Sequence, residues 1–144
     1  MDGTDTSYRY GGLPELVAEI IRYSNLNEYR SERFKKPTCD CGEDSFELAT
    51  DDGEGVGLRC CAHCGQSHWM GDSADYADSA VLVAHQCVCG SEIFQLLVGL
   101  ALYQGTEDVR WLYIGCRCTA CELIGVFADW KCESGFVADL MAKL

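Results

Sequence analysis

The chain has 144 residues, 48% of them hydrophobic, and this length and composition are those of a folded globular protein rather than a disordered one. Its formal net charge is −12, and residues 37–144 carry the whole excess with five basic and seventeen acidic side chains, which argues against phosphate-backbone binding by that part. No apolar run reaches the roughly 20 residues of a membrane helix, and residues 1–20 lack the basic start of a secretory signal, so we expect a cytoplasmic protein without a membrane partner.

The first predicted elements are two helices. Pro14 suits a first helical turn, and the apolar residues after it, from Leu16 to Tyr23, have the spacing of one helix face. This pattern predicts a helix from Pro14 to Asn25, followed by a second, more polar helix from Asn27 to Lys35. We assign residues 1–36 to an N-terminal helical segment, which contains the main basic cluster of the chain: Arg30, Arg33, Lys35 and Lys36.

Eight of the eleven cysteines belong to a sequence repeat. Each half contains Cys-x-Cys-Gly-x-x-x-Phe-x-Leu, from Cys39 to Leu48 and from Cys87 to Leu96, and each half closes with a Cys-x-x-Cys pair. Because the chain lacks an export signal and its cysteine count is odd, metal binding is a better use for these residues than disulfides. The predicted ligands are Cys39, Cys41, Cys61 and Cys64 for one ion and Cys87, Cys89, Cys118 and Cys121 for the other.

The spacing of these pairs favours zinc. A tetrahedral ion with Zn–S distances of about 2.3 Å needs four sulfurs that converge from two tight turns, and glycines such as Gly42 and Gly90 suit such turns. The chain between the two pairs of each half is long enough for a β-hairpin, with turns predicted at residues 51–53 and 105–108. The sequence therefore predicts two structural zinc ions per chain.

Three cysteines, Cys60, Cys116 and Cys132, lie outside the repeat. We expect them to be small, partly buried apolar residues. An alternative register, in which Cys60 or Cys116 replaces an assigned ligand, stays open, as does a histidine ligand from His63 or His68 in the first site.

The remaining elements flank these pairs. Strands are predicted at residues 93–103, 109–116 and 125–130, and a short C-terminal helix carries an apolar stripe from Phe136 to Leu144 with Ser134 as its N-cap. Residues 71–79 are predicted to form an exposed acidic linker. We therefore place a first unit with this linker at residues 37–80 and a second unit with the C-terminal helix at residues 81–144.

The cysteine pattern resembles the zinc ribbon, or rubredoxin-like, family, although the first pair of each half is Cys-x-Cys-Gly where the family usually has Cys-x-x-Cys-Gly. The resemblance implies an α+β fold with two tandem zinc-ribbon antiparallel β units and flanking N- and C-terminal helices. It covers residues 39–72 and 87–130. It leaves function open, because zinc ribbons occur in nucleic-acid binders, polymerase subunits and protein-docking modules.

Charge and motifs narrow the function. The chain has no His-Glu-x-x-His, deaminase or phosphate-loop motif, and four sulfurs fill each predicted site, so we expect no enzyme activity. The acidic surface predicts a protein partner with a basic surface and no nucleic-acid partner. Bacterial immunity proteins that neutralise toxins have this small, acidic, non-enzymatic character, and this is the leading specific hypothesis. The alternatives are an adaptor subunit of a transcription or modification assembly, and a nucleic-acid binder that uses the N-terminal basic helix.

Overall fold

A computed structural model describes residues 8–132 and 135–144. Within them lie two α-helices, α1 at Leu13–Leu26 and α2 at Val137–Ala142, and a 3-10 helix at Ser73–Ser79. The strands in the described residues are β1 at Arg9–Tyr10, β2 at Arg33–Lys35, β3 at Ser45–Asp51, β4 at Val56–Cys61, β5 at Ser67–Trp69, β6 at Val83–Ala84, β7 at Phe94–Leu102, β8 at Val109–Cys118 and β9 at Leu123–Lys131. The expectation of antiparallel sheet with a few helices is confirmed.

Helix α1 agrees with the predicted helix at residues 14–25. Pro14 lies in its first turn, and the Glu15 carboxylate accepts a hydrogen bond from the Gly12 N–H at 2.7 Å, which satisfies a donor that the helix leaves unpaired. Leu16 and Ile20 are fully buried on its inner face. The helix ends before Glu28, whose φ of 70° is incompatible with a further helical turn.

The prediction of a second helix at residues 27–35 is wrong. After Glu28 the chain runs along one edge of β7, where the Glu32 N–H donates to the Leu100 carbonyl at 2.8 Å. Strand β2 continues this pairing with Phe34 opposite Gly99. The unpaired backbone of the β7 edge outweighs the local helix preference of this polar segment.

The strands form one sheet in the order β1-β9-β8-β7-β3-β4-β5, with β2 beside β7 and β6 beside β3. Hairpins β3–β4 and β7–β8 turn at the predicted places, around residues 52–55 and 103–108. They join through a short antiparallel contact of β3 with β7, in which Phe46 lies opposite Phe94. These two phenylalanines occupy the same position of the sequence repeat, so the two hairpins meet about a local approximate two-fold axis.

Strands β7, β8 and β9 are covered on both faces. One face carries a core that includes Phe94, Leu96, Ile114 and Trp130, and it also contains the buried sulfurs of both halves of the chain. The opposite face packs against α1 through Leu97, Ala101, Tyr113 and Ile124.

The close approach of α1 depends on two glycines. A Cβ at Gly99 would lie 2.7 Å from Cγ2 of Ile20, and one at Gly115 would lie 2.7 Å from Cδ1 of Ile20 and 3.0 Å from Cδ1 of Leu16. Such distances are shorter than ordinary carbon contacts of about 3.5–4.0 Å. Any larger residue at either position would therefore push the helix away from the sheet.

The first hairpin packs over the face of strands β8 and β9 that lies opposite α1. A Cβ at Gly57 of β4 would lie 3.2 Å from Cη2 of Trp130 in β9, which shows how closely the two strands pack. The acidic segment at residues 71–79 lies next to this contact and contains the 3-10 helix. Its Ser73 is buried and accepts the Gly57 N–H at 2.8 Å, whereas Asp75 and Asp78 are exposed as predicted.

Helix α2 confirms the predicted C-terminal helix, and its predicted N-cap, Ser134, lies outside the described residues. Leu140 packs over Gly71, and the carbonyls near the end of the chain accept hydrogen bonds from Lys35, Arg59 and His68. Among the helices of residues 8–132 and 135–144, none combines the length and the apolar character that a membrane crossing requires.

Candidate metal centres

The fold gathers the eight predicted cysteines into two clusters of four. The first cluster consists of Cys39, Cys41, Cys61 and Cys64, and the second of Cys87, Cys89, Cys118 and Cys121; within each, all sulfurs lie within 4.8 Å of one another. In the part of the chain that the structure describes, no other group of three or more potential metal ligands of the Cys, His, Asp or Glu type comes together in this way. Each cluster could hold one metal ion.

The sulfur positions suit a tetrahedral ion. The Sγ–Sγ distances are 3.6 Å between Cys39 and Cys64 and 3.7 Å between Cys41 and Cys61. In the second cluster they are 3.5 Å between Cys87 and Cys121 and 3.6 Å between Cys89 and Cys118. Four sulfurs at about 2.3 Å from a central zinc would be separated by about 3.8 Å. These two distances in each cluster are close to that spacing, and the remaining sulfur pairs lie within 4.8 Å.

The first pair of each cluster lies on a tight turn before a hairpin. Gly42 and Gly90 have φ angles of 95° and 96°, and their N–H groups donate to the Cys39 and Cys87 carbonyls at 2.8 and 2.9 Å. Glycine adopts this left-handed conformation without steric cost. The Cys-x-Cys-Gly spacing therefore forms the same turn twice.

The second pair lies where the returning strand of each hairpin ends. Cys61 pairs with Phe46 across the first hairpin, and Cys118 pairs with Phe94 across the second. After these cysteines the chain turns through residues with positive φ, Gly65 at 79° and Glu122 at 68°, whose N–H groups each donate at 3.0 Å to the carbonyl of Cys61 or Cys118. The hairpin register thus returns the second pair to the first.

Backbone donors prepare one thiolate in each cluster. The N–H groups of Cys64 and His63 lie 3.4 Å from the Cys61 sulfur, and the Cys64 donor contributes most to lowering the pKa of Cys61 to about 6. Burial opposes the ionisation of Cys118, but the N–H groups of Cys121 and Ala120 lower its pKa to about 6 as well. A thiolate at neutral pH is the form that a metal binds, so each cluster offers an ionised first ligand.

Not every thiol in the clusters has a lowered pKa. Burial, together with hydrogen bonds to the neighbouring thiols, raises the pKa of Cys87 to about 12. Binding of a dication to either cluster would therefore release protons from the remaining thiols, and metal affinity would rise with pH.

The other candidate ligands lie outside both clusters. Cys60 is half-buried and its thiol donates to the Gly65 carbonyl, while Cys116 and Cys132 are buried in the core. Complete burial raises the pKa of Cys116 well above its usual value, which suits an inert thiol rather than a ligand. His63 is exposed, and a ring nitrogen of His68 lies 2.6 Å from the Lys143 carbonyl oxygen.

One residue near the first cluster was missed by sequence reasoning. Arg59 is only 7% exposed; its Nε donates to the Leu144 carbonyl at 2.8 Å, and its guanidinium lies 4.8 Å from the ring centre of Phe46. Burial lowers its pKa, whereas the nearby Cys39, Asp40 and Cys61 favour its charged form. Its only signal in the sequence is that it is the single basic residue between positions 37 and 80.

No family model, no curated protein and no solved structure matches this chain. The description of the protein therefore rests on the chemistry of its two cysteine clusters. It is an antiparallel β protein with two four-cysteine clusters that could bind metal, in an arrangement consistent with zinc ribbons.

Proposed function

We propose that each four-cysteine cluster binds one zinc ion and that both ions are structural. The observation that carries this proposal is the sulfur geometry, because two Sγ–Sγ distances in each cluster, at 3.5 to 3.7 Å, approach the edge of a tetrahedron of four sulfurs around zinc, and all the sulfurs of a cluster lie within 4.8 Å of one another. All-thiolate tetrahedral sets suit zinc or iron, and the zinc-ribbon-like turns favour zinc. The zinc would join the two ends of each hairpin.

The same donor set supports a non-enzymatic protein. Four thiolates complete the coordination of zinc, so no position would remain for water or substrate, as a catalytic zinc requires. Each occupied site would carry a charge of about −2, which deepens the acidity of the chain. Arg59 is positioned to balance part of this charge at the first site.

We propose further that the protein functions by binding a basic protein partner in the cytoplasm. The support is electrostatic: Asp40, Glu43, Asp52, Glu54, Asp75 and Asp78 are exposed, and none of them forms an ion pair within the described residues. Such a surface attracts a cationic protein and accelerates its association. An immunity protein that neutralises a bacterial toxin is the specific role we propose within this class.

The nucleic-acid alternative has less support. Within the N-terminal basic cluster, Arg33 pairs with Glu107 at 3.3 Å and Lys36 pairs with Asp44 at 2.6 Å, while Lys35 donates to the Met141 carbonyl. These side chains have partners in the chain itself, and the segment is not the helix that this alternative assumed. The zinc-ribbon adaptor role stays a second candidate, because it would also use a protein-binding surface.

The experiment that tests partner binding is affinity capture from the native host, with the zinc-loaded protein as bait and elution by increasing salt. We expect a basic protein that elutes at moderate salt, and for an immunity role that protein should be a toxin whose activity the chain inhibits. Recovery of acidic proteins only, or tight binding to DNA or RNA at physiological salt, would contradict the proposal.

A further inference from the structure

A cleft with acidic and aromatic walls opens between the turn of the first hairpin and strands β8 and β9. Its volume is about 500 Å³, and the side chains that matter here are Asp52, Glu54, Tyr76, Trp111, Asp129 and Trp130. A smaller cavity beside it shares Glu54, Tyr76 and Trp130 and adds Asp72. Neither of the two cysteine clusters contributes to these walls.

The carboxylates of this cleft are engaged by neutral donors. Asp129 accepts hydrogen bonds from the Tyr23 hydroxyl at 3.0 Å and from Nε1 of Trp111 at 2.8 Å, and Glu54 accepts one from the Ser79 hydroxyl at 2.9 Å. Asp52 accepts the Asp129 N–H at 3.0 Å. These contacts hold the carboxylates in place without cancelling their charge.

Basic side chains are scarce at this position. Lys131 is exposed and is the one basic residue of the lining, against Asp52, Glu54 and Asp129. The ion pairs found within the described residues include none of these three carboxylates. The cleft therefore keeps a net negative charge.

Aromatic rings form the rest of the wall. Tyr76 is 41% exposed although it lies beside Trp130, which is buried, and Trp111 is fixed by stacking on Tyr29 with ring centres 5.1 Å apart. Ring faces attract cations by about 0.5–2 kcal/mol, and ordered carboxylates at the same place add direct charge pairing. Rings and carboxylates together match a guanidinium or ammonium group, and they would repel an anion.

We propose that this cleft is the place where the chain receives an arginine or lysine side chain from a basic segment of its protein partner. This inference rests on the proposed binding of a basic protein, and it adds the surface and the chemistry of contact. Glu54 and Asp52 pair with the cation, and the Tyr76 ring covers it.

The test measures binding of a hexa-arginine peptide to the full zinc-loaded chain by calorimetry at about 0.15 M salt, where charges more than about 8 Å apart are largely screened. The variants Glu54→Gln and Tyr76→Leu remove one charge and one ring from the cleft. Glu92→Gln is the matched control, because it makes the same substitution as Glu54→Gln at an exposed position that lies outside the lining and outside the acidic surface named above. Tyr76→Phe keeps the ring. Thermal melting and zinc content of each variant confirm that the fold is retained.

We expect Glu54→Gln and Tyr76→Leu each to weaken peptide binding by about three- to tenfold, and Glu92→Gln or Tyr76→Phe to change it by less than about twofold. A hexa-glutamate peptide should not bind. Equal weakening by Glu54→Gln and Glu92→Gln, with no effect of Tyr76→Leu, would overturn the cleft as the site but leave the binding of basic partners intact.

Absence of peptide binding would also overturn the cleft proposal. Affinity capture from the host then decides the proposed function separately, because a basic partner whose binding ignores Glu54→Gln would support that function and place its contact elsewhere.

Discussion

Replacement of one exposed ligand, Cys89→Ser, should unfold more than the hairpin to which it belongs. Cys89 is exposed, so the substitution removes little packing and acts through the metal. Structural zinc contributes about 10–16 kcal/mol in small zinc-finger peptides, which matches or exceeds the total stability of about 5–15 kcal/mol of a typical domain. Loss of the second ion should therefore release the turns that precede β7 and follow β8.

Because both halves of the chain share one sheet, unfolding of the second half should extend into the first. Strand β7 pairs with β3 through Phe46 and Phe94, and one core contains the buried sulfurs of Cys39 and Cys61 together with those of the second cluster. We expect Cys89→Ser to lose native structure on both sides of the β3–β7 contact in a single transition.

Amide NMR and native mass spectrometry measure this outcome together. Cys60→Ser is the matched control, because Cys60 is half-buried and lies outside both clusters, and it should keep two ions and the melting temperature of the wild type. A Cys89→Ser protein that retains one zinc and native amide shifts for residues 39–64 would refute the reasoning, since the halves would then fold independently.

Three further predictions test the packing and the burial of single residues. Gly115→Ala should lower the free energy of unfolding by about 1–3 kcal/mol, because its Cβ would meet Cδ1 of Ile20. Ile20→Val removes that atom, so the double variant should lose less stability than the sum of the two single variants. Additive losses in urea unfolding would contradict this prediction. Burial and Asp129 raise the pKa of Tyr23 to about 12, so the neutral tyrosine contributes its full stability below pH 10 and this contribution is lost as the pH rises to 12. The variant Tyr23→Phe should show a smaller loss of stability over this range. Unchanged urea midpoints between pH 9 and 11 in both proteins would contradict this prediction. Cys116→Ser should destabilise by about 1–3 kcal/mol because it buries a hydroxyl in an apolar core, yet retain two zinc ions by elemental analysis; loss of an ion would revive the alternative register.

The candidate ligands could be predicted because their signal is local. Two cysteines and a glycine within four residues determine a turn, and the hairpin that follows returns the second pair at a distance fixed by strand length. Helix α1 could also be predicted from the sequence, since Pro14 and the apolar spacing from Leu16 to Ile20 lie within one segment. Both signals lie within short segments of the sequence, and a single hairpin is enough to bring the two pairs of each cluster together.

The rest depends on contacts between distant segments. Residues 33–35 became a strand because β7 offered an unpaired edge more than sixty positions later, which composition could not reveal. The contact of Phe46 with Phe94 joins the two hairpins, although the repeat marked both residues only as equivalent. The burial of Arg59 and the cleft beside Tyr76 likewise arise where separate elements meet. The boundaries of the three predicted segments, and the metal bound by the cysteines, stay predictions.

X-ray absorption spectroscopy at the zinc edge, on protein purified without chelators and assayed for metal content, tests the central claim most directly. The proposal predicts two zinc ions per chain, each surrounded by four sulfur atoms at about 2.3 Å, because each cluster brings four cysteine sulfurs within 4.8 Å of one another and no other ligand type. A single ion per chain, a different metal, or nitrogen and oxygen atoms in the first coordination sphere would contradict it.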